Sequence, residues 1–214
     1  MKPRQTVKNS RAKAGASKQR SHQVRIIGGA WKRSVLPVAA VEGLRPTPDR
    51  VRETVFNWLN HLMDGAWSGL ACLDLFAGTG ALGFEAASRG AAETVLVESS
   101  PVAARHLNAI KEKLHADKVS VVQGDAPVVA ARMAANGKQF DIIFLDPPYR
   151  QGWIERTLPT CVGLLKQDGV IYAESSAPLT GFHEGEMPEW LRPWEVIRQD
   201  RAGAVHYYLL KMAE

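Results

Sequence analysis

No aspartate or glutamate occurs before Glu42, yet ten of the chain's 27 Lys/Arg residues lie within residues 1–41. A segment with one sign of charge cannot neutralise itself through internal ion pairs, so it attracts polyanions such as phosphate backbones. Cysteine is scarce too. Cys72 and Cys161 are the only two, with no CxxC pair and no Cys/His cluster, which argues against a disulfide framework or a zinc site and fits a reducing compartment. No apolar run approaches the roughly 20 residues that a membrane span needs. The N-terminal stretch also lacks the apolar core of a secretory signal. The expectation is a cytoplasmic protein with no membrane partner and no metal.

The 214 residues are 45% hydrophobic and 23% charged, enough for one sizeable core with a small appendage. The net charge of +5 belongs to the front end, because residues 42–214 carry 17 basic against 22 acidic side chains, a net of −5. Residues 1–23 hold seven Lys/Arg and almost no large apolar side chains. They read as a disordered basic tail, since they bury too little surface to offset chain entropy. Residues 24–64 read as a small extension that contacts nucleic acid and residues 65–214 as the main domain.

In the extension, Val24-Arg-Ile-Ile27 and Ala30–Leu36 read as two strands turning at Gly28-Gly29. Trp31 is followed by two basic residues, Lys32 and Arg33, and a base-stacking ring and a core-edge ring are the alternatives. A helix follows, with Thr47 as N-cap, Pro48 in its first position, and Val51, Val55, Leu59 and Leu62 on one face. Arg45, Arg50 and Arg52 crowd the start of that helix, the end that the helix dipole makes unfavourable for cations. Together with Arg25, Lys32 and Arg33 they are candidate contacts to a nucleic-acid backbone.

From Leu70 onward strands and helices alternate. Strands are expected at 70–76, 93–98, 118–123, 140–145 and 169–174, with helices between them. A hairpin of Trp194–Gln199 and Val205–Lys211 closes the chain. This order predicts an α/β doubly wound sheet, mostly parallel, with its ligand crevice at the carboxyl ends of the strands. Gly78-Thr-Gly-Ala-Leu-Gly83 follows a strand and opens a helix, and Glu98 ends the next strand, where it can accept from ribose hydroxyls. A nucleoside-containing cofactor is implied. Asp74 places a carboxylate in the same pocket, which repels a pyrophosphate and suits the ammonium of S-adenosylmethionine. Asp125 is placed either to accept from an adenine amino group or to cap the following helix.

The run Phe140-Asp-Ile-Ile-Phe-Leu-Asp-Pro-Pro-Tyr149 is an apolar strand that stops on an acid, two prolines and an aromatic. Proline cannot donate to a ladder, so the run ends rigidly. Asp146 and the Pro147 carbonyl then offer two acceptors, and Tyr149 a flat ring, a set that suits a planar group bearing an NH2.

Asp74-Leu-Phe-Ala-Gly-Thr-Gly80, Glu98 and Asp146-Pro-Pro-Tyr149 resemble the motifs of class I S-adenosylmethionine-dependent methyltransferases acting on amino nitrogens. Arg25-Ile-Ile-Gly-Gly-Ala-Trp-Lys32 and Arg45-Pro-Thr-Pro-Asp-Arg-Val-Arg-Glu53 are similar, more narrowly, to the RsmD family of bacterial small-subunit rRNA guanine-N(2) methyltransferases. The resemblance spans about Val24 to Lys211. It implies a Rossmann-like fold and methyl transfer to the exocyclic amino group of one guanine in 16S rRNA, free or in an assembling 30S particle, by a cytoplasmic monomer. Asp146, Pro147 and Tyr149 take the catalytic positions, and Asp74, Phe76, Gly78, Gly80, Glu98 and Asp125 the cofactor positions. The first 23 residues are longer and more basic than the family pattern needs. The rival readings are a DNA adenine or cytosine amino-methyltransferase, a protein glutamine methyltransferase, an NAD-dependent oxidoreductase and a non-catalytic RNA-binding module. The oxidoreductase leaves Asp146 to Tyr149 without a role.

Overall fold

The computed structural model of the chain describes residues 23–37, 47–148, 152–179, 181 and 187–213. The basic tail through residue 22, Arg45 and Tyr149 lie outside these described residues. Within them the alternation of the sequence becomes one sheet. Strands β3 (Ala71–Asp74), β4 (Glu93–Glu98), β5 (Val119–Gln123), β6 (Phe140–Leu145) and β7 (Leu165–Ser175) run parallel, while β8 (Trp194–Ala202) and β9 (Val205–Met212) form an antiparallel hairpin. The spatial order is β5-β4-β3-β6-β7-β9-β8, so the closing hairpin inserts its second strand beside β7. Helices α2 (Ala81–Arg89), α3 (Pro101–Leu114), α4 (Ala126–Ala135) and α5 (Trp153–Cys161) make the crossovers. None of the described helices is long and apolar enough to cross a membrane.

Strand β6 shows why its sequence is apolar throughout. Ile142 and Phe144 point into one buried cluster and Ile143 and Leu145 into another, with helices over both faces, as a central parallel strand requires. The first cluster is shared with helix α1 (Asp49–Leu62), whose Val51, Val55, Phe56 and Leu59 are buried against Ile142, Phe144, Tyr172 and Leu209. Each such side chain contributes on the order of 1.5–3 kcal/mol. Helix α1 is therefore built into the same core as the sheet.

The extension differs from its expected form in three places. First, the hairpin ladder is short: β1 (Val24–Arg25) pairs with β2 (Val35–Leu36) only. The amides of Ile27, Gly28, Ala30 and Trp31 turn to helix α2 instead. The amides of Ile27 and Gly28 donate to the Glu85 carboxylate at 2.7 and 2.8 Å, and Trp31 N donates to Ser88 Oγ at 2.9 Å. Gly29 is needed for close approach, since a Cβ there would stand 1.9 Å from the Ser88 carbonyl oxygen. Trp31 takes the core-edge alternative and packs on the cluster of Val24, Phe84 and Leu107.

Second, Thr47 does not cap α1. Pro48 occupies that position without a side-chain cap, and the Thr47 hydroxyl is engaged elsewhere. Third, Arg52 is fully buried. Its guanidinium donates to the Arg25 carbonyl at 2.8 Å and to Asp49 Oδ1 at 2.6 Å, tying α1 to β1. The turn of a helix that lacked a reason to hold a cation has one, because a buried charge needs partners and these two supply them. Arg52 is thus a strut of the fold and not an exposed contact.

Candidate active site

Strand β3 lies between β4 and β6, so the chain order reverses at its carboxyl end. In open α/β sheets this is where a ligand crevice forms. Strands β3 and β4 bring the glycine loop and two acids to one side of it, and β6 and β7 bring two further acids to the other.

On the first side, Asp74 ends β3 and is 1% exposed. Its Oδ2 accepts from Gly83 N at 3.1 Å, while buried Oδ1 has no hydrogen-bond partner among the described residues. Burial pushes the Asp74 carboxyl up to about 7, against the pull of the Gly83 amide. Gly83 allows this contact, since a Cβ there would stand 2.0 Å from a Leu96 methyl. Glu98, at the end of β4, uses both oxygens: Oε2 accepts from Gly78 N of the glycine loop at 2.9 Å and Oε1 from Ser100 N at the start of α3 at 2.7 Å. Phe76 meets Trp153 edge-on, with ring centroids 5.7 Å apart. Asp125 is exposed at the end of the β5 loop and caps α4, accepting from Val128 N at 3.3 Å. Asp74, Glu98 and the glycine loop thus gather at the carboxyl ends of β3 and β4, where Asp74 Oδ1 is buried.

On the second side, Asp146 follows the last residue of β6 and is half-buried. The Thr47 hydroxyl donates to its Oδ2 at 2.8 Å across 99 residues of sequence. The extension therefore supplies a group to the crevice itself. Asp146 also stands beside the carboxyl of Glu174, which follows the Leu145–Ala173 register pair on neighbouring β7 and is 2% exposed. Tyr172 donates its hydroxyl to Glu174 Oε1 at 2.6 Å. Burial, followed by the Glu174 charge, lifts Asp146 well above the usual carboxylate range, against the Thr47 hydrogen bond. Pro147 is buried and Pro148 exposed. The stop after β6 is as abrupt as its two prolines require.

Of the basic candidates, Arg25, Lys32, Arg33 and Arg50 are exposed. The two cysteines are both free and buried, and burial pushes the Cys161 thiol up to about 12. Neither is poised as a nucleophile.

The chain's relatives accord with this geometry. Residues 24–211 match the family model described as Conserved hypothetical protein 95. Over 191 residues the chain is 40% identical to Ribosomal RNA small subunit methyltransferase D of Escherichia coli strain K12, covering 88% of this chain and 90% of that protein. The chain belongs to this family. The Haemophilus influenzae protein of the same name is 36% identical over 195 residues, covering 87% and 93% of the two chains. Among solved structures, yhhF from Escherichia coli superposes with a TM-score of 0.74 at 36% identity, covering 89% of this chain and 98% of that one. The mostly parallel seven-stranded sheet and its crevice are those of the fold expected from the βα alternation.

Two residues of the crevice escape a reading by motif. Thr47 passes as a helix cap, the commoner role of a threonine before a proline. Glu174 passes as the last polar residue of a strand. A signal for Glu174 does exist: it breaks the apolar run Val170–Ala173 at the same sheet edge where Glu98 and Asp146 stand.

Proposed function

We propose that this protein is an enzyme that transfers the methyl group of S-adenosylmethionine to the exocyclic amino group of a guanine in small-subunit rRNA. The observation that carries the reading is the carboxyl of Asp146, held by Thr47 of the extension at the end of β6, the neighbour of the strand β3 that leads into the glycine loop. S-adenosylmethionine, when bound, supplies a methyl group activated by a sulfonium centre. The pocket's own residues fit its parts. Asp74 offers a buried, unpaired oxygen to an ammonium, and Glu98 keeps lone pairs for ribose hydroxyls beyond its two backbone amides. A carboxylate at Asp74 is the wrong charge for a dinucleotide's pyrophosphate, which disfavours the oxidoreductase.

Asp146 and the Pro147 carbonyl accept the two amino hydrogens, so that the nitrogen lone pair points out of the base plane and into the crevice. Tyr149 stacks on the base, a contact worth on the order of 1–3 kcal/mol. Bringing a base out of its stack costs a few kcal/mol, which stacking offsets in large part. Most of the acceleration is then orientation, which needs no covalent intermediate. Arg25, Lys32, Arg33 and Arg50, all exposed, hold the RNA backbone together with Arg45 and the basic residues of positions 1–23. The close relatives named for ribosomal RNA of the small subunit favour RNA over the DNA and protein substrates.

The test is transfer of tritiated methyl from S-adenosylmethionine to undermodified small-subunit rRNA, free and as particles, followed by nucleoside analysis. Label in N2-methylguanosine is the expected result. Label in an adenine or cytosine product, or no label with both substrates, removes the reading.

A further inference from the structure

We infer that Asp146 and Glu174 act as one proton-sharing pair, in which Glu174 positions Asp146 against the acceptor amine and helps it take up the proton that methylation releases. This rests on the reading that Asp146 faces the amino group. Leu145 and Ala173 are partners across β6 and β7, so Asp146 and Glu174 follow each other side by side at the sheet's carboxyl edge. Each carboxyl has one hydroxyl donor of its own. Thr47 serves Asp146 Oδ2 at 2.8 Å and Tyr172 serves Glu174 Oε1 at 2.6 Å. The carboxyls then meet each other.

Two carboxyl groups in hydrogen-bond contact need a hydrogen between them, and two full charges at that distance repel strongly away from water. The pair accordingly holds one proton and one negative charge, with room for one proton more. Its surroundings favour uptake. The charged groups that bear on Asp146 are Glu174 and Asp74, both acidic. From β9, Tyr207 and His206 are register partners of Glu174 and Ser175, and the Tyr207 hydroxyl is turned to Asp200. Burial adds to the proton affinity of the pair.

The chemistry requires such an acceptor. As the amino nitrogen bonds to the methyl carbon, the carbon–sulfur bond breaks and its electron pair passes to sulfur. The nitrogen is left with a positive charge and a surplus proton. That proton moves along its existing hydrogen bond to Asp146, and the pair becomes neutral. It returns to one negative charge by giving a proton to water once the product leaves. Glu174 touches the base only through Asp146 and is a positioning residue, whereas Asp146 is catalytic.

The test compares wild type, Glu174→Gln and Tyr172→Phe in single-turnover methyl transfer to undermodified small-subunit particles between pH 5.5 and 9.5, with cofactor affinity measured in parallel. Glu174→Gln keeps the shape and an acceptor for Tyr172 but removes the second carboxyl. Transfer should slow about 10- to 100-fold, and the acid limb should move to higher pH by about half a unit or more, because the shared proton that stabilises the pair's single charge is gone. Tyr172→Phe removes a donor to ionised Glu174 and should move the limb to higher pH. Cofactor affinity should stay within about twofold in both, as neither residue lies on the glycine-loop side. Wild-type rate in Glu174→Gln overturns the pair, and so does slowing with an unmoved limb, which marks a merely structural role. Should Glu174→Gln not fold, an unmoved limb in Tyr172→Phe overturns it alone. A wild-type protein that puts no label on guanine removes the underlying reading instead.

Discussion

Around β3 and β4 the crevice is held by backbone amides near in sequence, whereas around β6 and β7 it is held by side chains far apart. Gly83 and Asp74 are 9 residues apart and Gly78 and Glu98 are 20 apart, while Thr47 and Asp146 are 99 apart. The first half is a loop closing on its own strand ends, a device many ligands can share. The second half exists only once α1, β6 and β7 have packed, and its polar groups come from three separate elements. Under the proposed function, cofactor binding and choice of acceptor fall to different halves and should be separable by mutation.

The largest separation is expected at Asp146. Asp146→Ala leaves the amine without its main acceptor and should lower single-turnover transfer by about 10³-fold or more. A rate within tenfold of wild type shows that the second half does not orient the amine. Glu98→Ala should act on the first half alone. Losing hydrogen bonds to a charged group, on the order of 1.5–3 kcal/mol, predicts cofactor affinity weakened about 10- to 100-fold by calorimetric titration. An unchanged titration removes Glu98 from the pocket.

Asp74 gives the first half a pH signature. Its carboxyl is raised to about 7, so ionised Asp74 is lost as pH falls through that value. Only the ionised form pairs with an ammonium, which predicts affinity about tenfold weaker at pH 6 than at pH 8. In the protein without cofactor the sign reverses. The folded state binds this proton more tightly than the unfolded chain, so Asp74 favours folding increasingly as pH drops from about 7 towards the ordinary value of 3.8. Asp74→Asn should flatten both dependences, and titrations across this range check it. The smallest effect belongs to Thr47→Val, which removes one hydroxyl from Asp146. A typical hydrogen bond of about 1 kcal/mol predicts transfer slowed about fivefold with cofactor affinity unchanged.

The same division governs what was legible in the sequence. The βα order, the glycine loop, Glu98 and the Asp146 stop are local patterns, and each element lies within a few residues of its expected place. The N-terminal hairpin forms but is shorter than its pattern, because the amides of Ile27, Gly28 and Trp31 bond to α2 and not to an opposing strand. Arg52 failed because the charge counted at the helix start is drawn inward by Asp49 and the Arg25 carbonyl. Thr47 and Glu174 were not legible as crevice residues because their partner is fixed by strand order, which no short window contains.

The most direct test of two separable halves is a calorimetric titration of Asp146→Ala with S-adenosylmethionine beside wild type. The account predicts affinities equal within about twofold, since the sites do not share partners. A loss as large as that of Glu98→Ala would contradict it and make Asp146 part of the cofactor pocket.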